Sequence, residues 1–230
     1  MILSYSRNFL FIKTKKVGGT SLEIALSKYC GDKDILAPMA GADERRRKAL
    51  GVRGAQNYEK RGVFSSYSFS PHTHAGRMRN FLPTSTWNRL FKFTVVRNPY
   101  DATISRYAMH LRNGKATTDF KSWIFENRHK IRDNLNIYCI DGRPFFDYAV
   151  RYEALEADLA EVSRRIGLDE NVFDLFTTIR AKGALRPPGF TIEAMFGDFE
   201  EGIELVAQEA AEELEWFGYQ RPKLSVAPSR

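Results

Sequence analysis

The sequence predicts an α/β fold, in which helices pack on a central sheet. Two short apolar runs, Phe9–Ile12 and Phe91–Arg97, have the length and composition of buried strands. Each run is followed by turn residues and then by a helix pattern, as in strand-to-helix units. The chain has 230 residues, 43% of them apolar, which is enough to fill one sizeable core. We therefore expect a single domain over residues 1–220 and a polar tail over residues 221–230.

The turn after the first predicted strand has the composition of an anion-binding site. It contains, in chain order, Lys13, Lys15, Lys16, Gly18, Gly19 and a helix start with a capping box at Thr20-Ser21-Leu22-Glu23. Glycine lets the backbone approach a ligand closely, and a helix N-terminus directs N–H groups and a positive dipole at it. The turn predicts a phosphate or sulfate site, and an ordinary glycine turn with solvated lysines is the alternative.

The same turn differs from the Walker A motif of kinases and ATPases. That motif ends in Gly-Lys-Ser/Thr, whose lysine and hydroxyl serve the phosphates and Mg²⁺. Here the lysines precede the glycines and none follows them. An ATP-dependent kinase is therefore disfavoured, although it stays open as an alternative.

Positive charge is concentrated in the first part of the chain. Residues 1–130 carry 24 Lys/Arg against 9 Asp/Glu, whereas residues 131–230 carry 11 against 19, and the net charge is +7. Such a distribution attracts a polyanion, so a non-catalytic polyanion-binding or nucleic-acid-binding protein is a second alternative. The aromatic residues lie mostly in apolar patterns and not among Lys/Arg on a known module. We therefore expect no nucleic-acid partner.

The composition also indicates which kinds of site and which cellular compartment to expect. Cys30 and Cys139 are far apart and the histidines are not clustered, which indicates neither a zinc site nor a disulfide framework. No apolar run reaches eighteen residues, and no signal-peptide pattern is present. We expect a cytoplasmic protein with no integral membrane segment and no metal, and the sequence carries no signal for its oligomeric state.

Two histidines in one loop are candidates for a general base. His72 and His74 follow a second predicted strand, Val63–Phe69, and precede a helix that ends near Leu82. Ligands of α/β proteins bind outside the carboxyl ends of strands, and the pKa of histidine suits proton transfer near neutral pH. The alternative is a loop histidine that caps the next helix, and the residues do not decide between His72 and His74.

The second strand-to-helix junction begins at Arg97. Asn98 and Pro99 start a helix that runs to about Arg112, and Ser105 lies about two turns into it. Arg97 can form a forked pair of hydrogen bonds with a phosphate, and Ser105 can donate its hydroxyl. An arginine at a strand end is also commonly only a salt-bridge partner, which is the alternative here.

The remaining segments predict further elements of the same fold. These are a short helix over 42–50, whose basic face is either solvated or meets an acidic acceptor, one or two helices within 119–134, a strand over 145–150, an amphipathic helix from Leu155 to Gly167, a basic loop over 177–190 and an acidic helix over 201–216.

Together the two junctions resemble the signature motifs of sulfotransferases that use 3′-phosphoadenylyl sulfate (PAPS). Residues 11–21, Phe-Ile-Lys-Thr-Lys-Lys-Val-Gly-Gly-Thr-Ser, are similar to the family's Pro-Lys-Thr-Gly-Gly-Thr-Ser loop for the 5′-phosphosulfate. Residues 97–105 are similar to its Arg-Asn/Asp-Pro with Ser eight residues on, which holds the 3′-phosphate. Similarity continues at 151–159 and 215–219 and looks greatest to bacterial and carbohydrate members, including relatives of the heparan-sulfate 2-O-sulfotransferase type.

The resemblance implies a fold, an activity and two substrates. The fold would be three-layered and P-loop NTPase-like, with a central, mostly parallel sheet flanked by helices. The activity would be transfer of a sulfuryl group from PAPS to an acceptor hydroxyl, with adenosine 3′,5′-bisphosphate as product and no metal. The acceptor would be a saccharide or glycolipid.

The resemblance also implies roles for particular residues. Lys16 and His72, with His74 as the alternative base, would be catalytic. The nucleotide would be bound by Lys15, Lys16, Gly18, Gly19, Thr20, Ser21, Arg97 and Ser105, and by a late basic loop with Arg180, Lys182 and Arg186 as candidates. Lys15 and Val17 depart from the family's proline and threonine, and Pro71 and His74 depart from the usual neighbours of its histidine.

Overall fold

The computed structural model describes residues 1–62, 66–179 and 186–224. It has an α/β architecture with a mixed five-stranded sheet flanked by helices. The chain divides into two compact units, each described by itself. The sheet unit consists of residues 1–96 and 136–182, and the helical unit consists of residues 97–135 and 183–230. The expected domain boundary near residue 220 stays a prediction.

The strands of the described ranges are short. They are β1 (Ile2–Ser4), β2 (Phe9–Ile12), β3 (Ile35–Leu36), β4 (Glu59–Lys60), β5 (Tyr67–Ser68), β6 (Phe91–Val96), β7 (Cys139–Ile140), β8 (Arg143–Pro144) and β9 (Tyr148–Arg151). The five-stranded sheet has the order β3-β1-β2-β6-β9. The parallel pairs are β2 with β6 and β6 with β9, whereas β1 is antiparallel to β2 and β3.

The sheet is therefore mixed and not mostly parallel as expected. The difference arises because β1 and β2 form a hairpin, and a short turn can join only antiparallel strands. Asp34 holds this turn, since its carboxylate accepts hydrogen bonds from the backbone N–H groups of Tyr5 and Ser6 at 2.7 and 3.0 Å. This N-terminal hairpin had no counterpart in the sequence-based prediction.

The helices of the described ranges are α1 (Gly19–Ser27), α2 (Gly41–Ala49), α3 (Ala75–Phe81), α4 (Thr84–Arg89), α5 (Pro99–Arg112), α6 (Phe120–Glu126), α7 (Asp133–Tyr138), α8 (Leu155–Arg165), α9 (Val172–Ile179), α10 (Ile192–Phe196), α11 (Glu200–Glu209) and α12 (Ala211–Phe217). Short 3₁₀ turns lie at Arg128–Lys130 and Tyr152–Ala154. In the described part of the chain, no helix has the length and apolar character needed to cross a membrane.

The core of the sheet unit explains why β2 consists only of apolar residues. All four residues of β2 are buried, as expected for a central strand covered on both faces. Phe11 stacks on Phe93 of β6 with ring centroids 5.2 Å apart. Leu22 and Leu159, from α1 and α8, belong to the same cluster. This packing positions the carboxyl end of β2, where the lysine and glycine turn begins.

The helical unit has a separate aromatic core. Tyr100 of α5 packs edge-on against Phe196 of α10 at 5.2 Å, and Phe120 of α6 packs against the same ring at 5.2 Å. The side chain of Asn98 caps α5 by accepting from the N–H of Tyr100 at 3.0 Å. The predicted helix start at Asn98-Pro99 is thereby confirmed.

Several predicted elements differ from the structure. The predicted strand over 63–69 is observed only as β5, and residues 63–65 lie outside the described residues. The strand predicted over 145–150 begins at Tyr148, and the acidic helix is broken at Ala210 into α11 and α12. The basic face of α2 was expected to be solvated, but Arg47 is fully buried because it pairs with carboxylates inside the sheet unit.

Candidate functional site

The turn after β2 has a left-handed backbone at two positions. Lys16 has φ +65° and Gly18 has φ +73°. Left-handed backbone is ordinary for glycine but uncommon for lysine, and strained residues of this kind cluster at ligand sites. Gly18 is also the N-cap of α1, so the first N–H groups of the helix follow the strained turn directly. Such turns form concave sites for anions.

The side chains around this turn differ in exposure. Lys15, Lys16 and Thr20 are half-buried, and Ser21 is buried at 6% exposure. Gly19 is buried because the stem of Lys13 runs beside it, and a Cβ at Gly19 would lie 3.0 Å from Cγ of Lys13. A side chain at position 19 would therefore require the stem of Lys13 to shift by a few tenths of an ångström.

The predicted capping box is wrong. The helix begins at Gly19 with Gly18 as its N-cap, and no side chain caps it. Thr20 therefore lies inside the first turn, because the left-handed Gly18 starts the helix earlier than a Thr20 cap would. Glu23 is fully buried, and its Oε2 atom accepts a hydrogen bond from Lys13 Nζ at 2.5 Å.

His72 contacts the same segment of chain. Its Nδ1 atom lies 2.9 Å from the carbonyl oxygen of Lys13. A carbonyl oxygen can only accept, so Nδ1 carries the proton and donates it. In the neutral imidazole the Nε2 atom is then unprotonated. Among the residues that the structure describes, Nε2 of His72 has no hydrogen-bond partner.

The electrostatic surroundings keep His72 neutral. Burial lowers its pKa from 6.5 to about 4. The hydrogen bond to Lys13 raises the pKa, whereas the positive charges of Lys13, the Met1 amino group and Lys15 lower it. At neutral pH the imidazole is therefore in the state that can accept a proton.

The lowered pKa predicts a pH-dependent stability. Between pH 6.5 and about 4 the unfolded chain binds a proton at His72 that the folded chain does not, so the free energy of unfolding falls as the pH falls. The loss is at most about 3 kcal/mol, at 1.36 kcal/mol per pKa unit. Urea denaturation from pH 7.5 to 4.5 should show a steeper loss in the wild type than in His72→Asn. Equal pH dependence of the two proteins would contradict the lowered pKa.

His74 occupies a different environment. It is exposed and precedes α3, where its carbonyl accepts from the N–H groups of Arg77 and Met78 at 3.1 and 3.3 Å. Its side chain does not cap the helix. Of the two candidate bases, it is His72 that lies against the lysine and glycine turn.

In the helical unit, Arg97 and Arg186 converge on one carboxylate. Arg97 Nε donates to Oδ2 of Asp101 at 2.6 Å, and Arg186 Nη1 donates to Oδ1 of the same residue. The guanidinium of Arg97 is largely buried, at 8% side-chain exposure. Ser105 is half-buried and lies one turn beyond Asp101, so Asp101 and Ser105 share a face of α5.

A small cleft adjoins Arg97 within the helical unit. Thr103 and Arg106 of α5 line it, together with Trp123, Lys130 and Glu213. Arg106 pairs with Asp133 at 2.5 Å, and Lys130 donates to the side-chain oxygen of Asn127 at 2.5 Å. The cleft is thus lined by charged groups of both signs and by one indole ring.

Sequence reasoning missed several residues of these sites. Asp101 lies four residues after Arg97, and this spacing on a helix face could have indicated an ion pair. The rings of Phe176 and Tyr152 lie 3.3 and 3.6 Å from a Cβ built on Gly18, and no local signal in the sequence indicates that contact. Two candidates, Arg180 and Lys182, lie outside the described residues.

The fold and these sites define the chain as an α/β protein with a glycine turn between a buried strand and a helix. No protein-family model, no curated protein and no solved structure matches this chain. Within the described ranges, no group of three or more His, Cys, Asp and Glu side chains is arranged to hold a metal ion.

Proposed function

We propose that this protein is a sulfotransferase that transfers a sulfuryl group from PAPS to an acceptor hydroxyl, with a P-loop-like arrangement around the donor. One observation carries the proposal: the Nδ1–H group of His72 donates to the carbonyl of Lys13 at 2.9 Å, three residues before Lys16. The proposed base thus lies against the segment that leads into the proposed donor turn. The candidate base and the candidate donor turn were suggested by separate parts of the sequence. Their connection through Lys13 supports a common function.

The turn offers groups suited to the 5′-phosphosulfate. The left-handed Lys16 and Gly18, followed by the N-terminus of α1, aim backbone N–H groups at one region. Lys15, Lys16, Thr20 and Ser21 add cationic and hydroxyl side chains. In the proposal these groups bind the 5′ end of the donor, with no metal required.

Arg97 and Ser105 are assigned to the 3′-phosphate. Asp101 pairs with both Arg97 and Arg186, which holds the two guanidinium groups close to each other and leaves the group with one excess positive charge. Guanidinium groups bind phosphate through paired, charge-assisted hydrogen bonds. Arg180 and Lys182 lie outside the described residues, and their role at the nucleotide stays a prediction.

The reaction is proposed as an in-line displacement, by analogy with phosphoryl transfer. The donor supplies the sulfuryl group and leaves as adenosine 3′,5′-bisphosphate. His72 Nε2 takes the proton of the acceptor hydroxyl as its oxygen bonds to sulfur. Lys16 stabilises the negative charge that develops on the leaving oxygen. The proposed acceptor is a saccharide or glycolipid, and the proposed setting is the reducing cytoplasm.

Ligand-induced stabilisation tests the donor assignment, because a ligand that binds only the native state raises the Tm. Adenosine 3′,5′-bisphosphate should raise the Tm more than ATP or a single-stranded oligonucleotide at equal concentration. Arg97→Ala should abolish most of this shift, whereas Arg112→Ala, an exposed change at the end of the helix that follows Arg97, should preserve it. A larger shift with ATP would favour a kinase, and one with the oligonucleotide would favour a nucleic-acid-binding protein.

Removal of metal ions by a chelator tests the expectation that protein groups, and not a metal ion, supply the positive charge that binds the donor. Excess EDTA should leave both bisphosphate binding and sulfuryl transfer from labelled PAPS unchanged, since lysine and the helix dipole are proposed to supply the positive charge. Isothermal titration with and without EDTA, followed by a transfer assay on a glycan panel, measures both properties. A strict dependence on Mg²⁺ would contradict the mechanism.

A further inference from the structure

His72 is connected to the buried carboxylate of Glu23 along two routes. In the first, Glu23 Oε2 accepts from Lys13 Nζ at 2.5 Å, and the carbonyl of Lys13 accepts from His72 Nδ1 at 2.9 Å. In the second, Glu23 Oε1 accepts from the Met1 amino group at 2.7 Å, which donates to the carbonyl of Pro71 at 2.9 Å. Both routes end at His72 or at the residue immediately before it.

The Lys13 route is rigid for steric and electrostatic reasons. Lys13 is 4% exposed and Glu23 is fully buried. The stem of Lys13 passes Gly19 so closely that a Cβ there would lie at 3.0 Å. Two buried charges that pair in a low-dielectric interior hold each other in one geometry, because separating them leaves each without compensation. The backbone of Lys13, including its carbonyl, is therefore held by its own side chain.

The charge of Glu23 is maintained by its surroundings. Burial alone would raise the pKa of Glu23, but the Met1 amino group and Lys13 outweigh burial, and the pKa is lowered. Burial also lowers the pKa of the Met1 amino group to about 5, so at neutral pH this amino group is not a full positive charge. Arg47 is also fully buried, with Nη2 3.8 Å from Glu23 Oε1 and Nη1 2.9 Å from Glu44. Among the described residues, Nε and Nη2 of Arg47 have no hydrogen-bond partner. Glu23 is thus a buried, ionised carboxylate between the side chains of Lys13 and Arg47.

We propose that Glu23 and Lys13 are positioning residues, whose ion pair holds the Lys13 carbonyl against Nδ1–H of His72 and so keeps Nε2 as the proton acceptor. This inference deepens the proposed function and rests on it for the role of His72 as a base. The tautomer itself can be measured without any activity. The same ion pair connects Lys13, the residue after β2, with Glu23 of α1. It therefore links the proposed base, through Lys13, to the helix that follows the donor turn.

Two variants separate positioning from simple electrostatics. Lys13→Met keeps the carbonyl of residue 13 and most of the stem but removes the ammonium group that binds Glu23. Glu23→Gln leaves Lys13 but removes the carboxylate that binds it. Loss of the Lys13 charge should raise the pKa of His72, whereas loss of the Glu23 charge should lower it. Both variants should nevertheless change the tautomer in the same direction, away from Nδ1–H.

The experiment is a long-range ¹H–¹⁵N correlation spectrum of the histidine rings at pH 7, with the His72 signals assigned from His72→Asn. The wild type should show one tautomer with the proton on Nδ1, and both variants should show a mixture with Nε2–H. Lys28→Met is the matched control, because it breaks an exposed Lys–Glu pair at the other end of α1, and it should keep the wild-type tautomer.

Each outcome is decisive. If folded Lys13→Met and Glu23→Gln keep Nδ1–H, the positioning role is wrong; should Glu23→Gln fail to fold, Lys13→Met decides alone. If the tautomer changes but the wild type transfers no sulfuryl group to any acceptor, positioning stands and the proposed function fails. If both hold, Lys13→Met should lower kcat by about 10²-fold, less than the ~10⁴-fold known for a fully wrong tautomer, with the KM for PAPS within about twofold.

Discussion

His72→Ala is expected to lower kcat by about 10²- to 10⁴-fold, the range for loss of a positioned general base. The reason is geometric, because Nδ1–H of His72 donates to the Lys13 carbonyl and Nε2 is left to accept the proton of the acceptor hydroxyl. The folded pKa of about 4 predicts that kcat/KM is constant above about pH 5 and falls below it as the ring is protonated. Steady-state assays with labelled PAPS over pH 4.5–8 measure both effects.

The control for this prediction is His74→Ala. His74 is exposed and its side chain makes no cap on α3, so its loss should change kcat less than about twofold. Bound polyanionic donor should raise the pKa of His72 by stabilising the charged ring, and the kcat profile should therefore turn down at a higher pH than kcat/KM. Normal turnover of His72→Ala together with an inactive His74→Ala would reverse the assignment of the base.

Lys16→Met is expected to lower kcat by about 10²- to 10³-fold, by analogy with the loss of one donor from an oxyanion site. Methionine keeps most of the stem but removes the charge proposed to meet the leaving oxygen. The left-handed backbone at Lys16 is unaffected by the change of side-chain end, so stability should stay within about 1 kcal/mol of the wild type. Single-turnover kinetics would separate the chemical step from donor binding.

Lys28→Met supplies the matched control for charge, since it removes an exposed lysine from the far end of the helix that follows the turn. It should leave the single-turnover rate unchanged. If Lys16→Met weakens donor binding but leaves the chemical step intact, Lys16 binds the ground state and the role at the leaving oxygen is wrong.

Local signals in the sequence were sufficient for the elements that surround the candidate site. The strand Phe9–Ile12 and the helix Pro99–Arg112 are observed with the predicted bounds. Both depend on short-range properties, namely a run of apolar residues that can be buried on two faces and a proline at the first position of a helix. The lysine and glycine turn, and its place between strand and helix, could be predicted for the same reason.

Contacts between residues far apart in the chain were beyond local reasoning. Glu23 fits a capping box by spacing, but in the structure its carboxylate binds Lys13 because the helix starts at Gly19. Arg47 belongs to a basic run typical of a solvated face, yet it is buried beside two carboxylates. Burial of a charge depends on partners that the fold delivers, and composition does not reveal them.

By itself the sequence determined that this is an α/β protein with two strand-to-helix junctions rich in groups that bind anions, because strand patterning and turn chemistry are local properties. The folded chain was needed to show that His72 contacts the first junction while His74 is exposed, and which tautomer His72 adopts. The choice depends on a hydrogen bond between residues 59 positions apart, and such a bond exists only once the sheet has brought the two segments together.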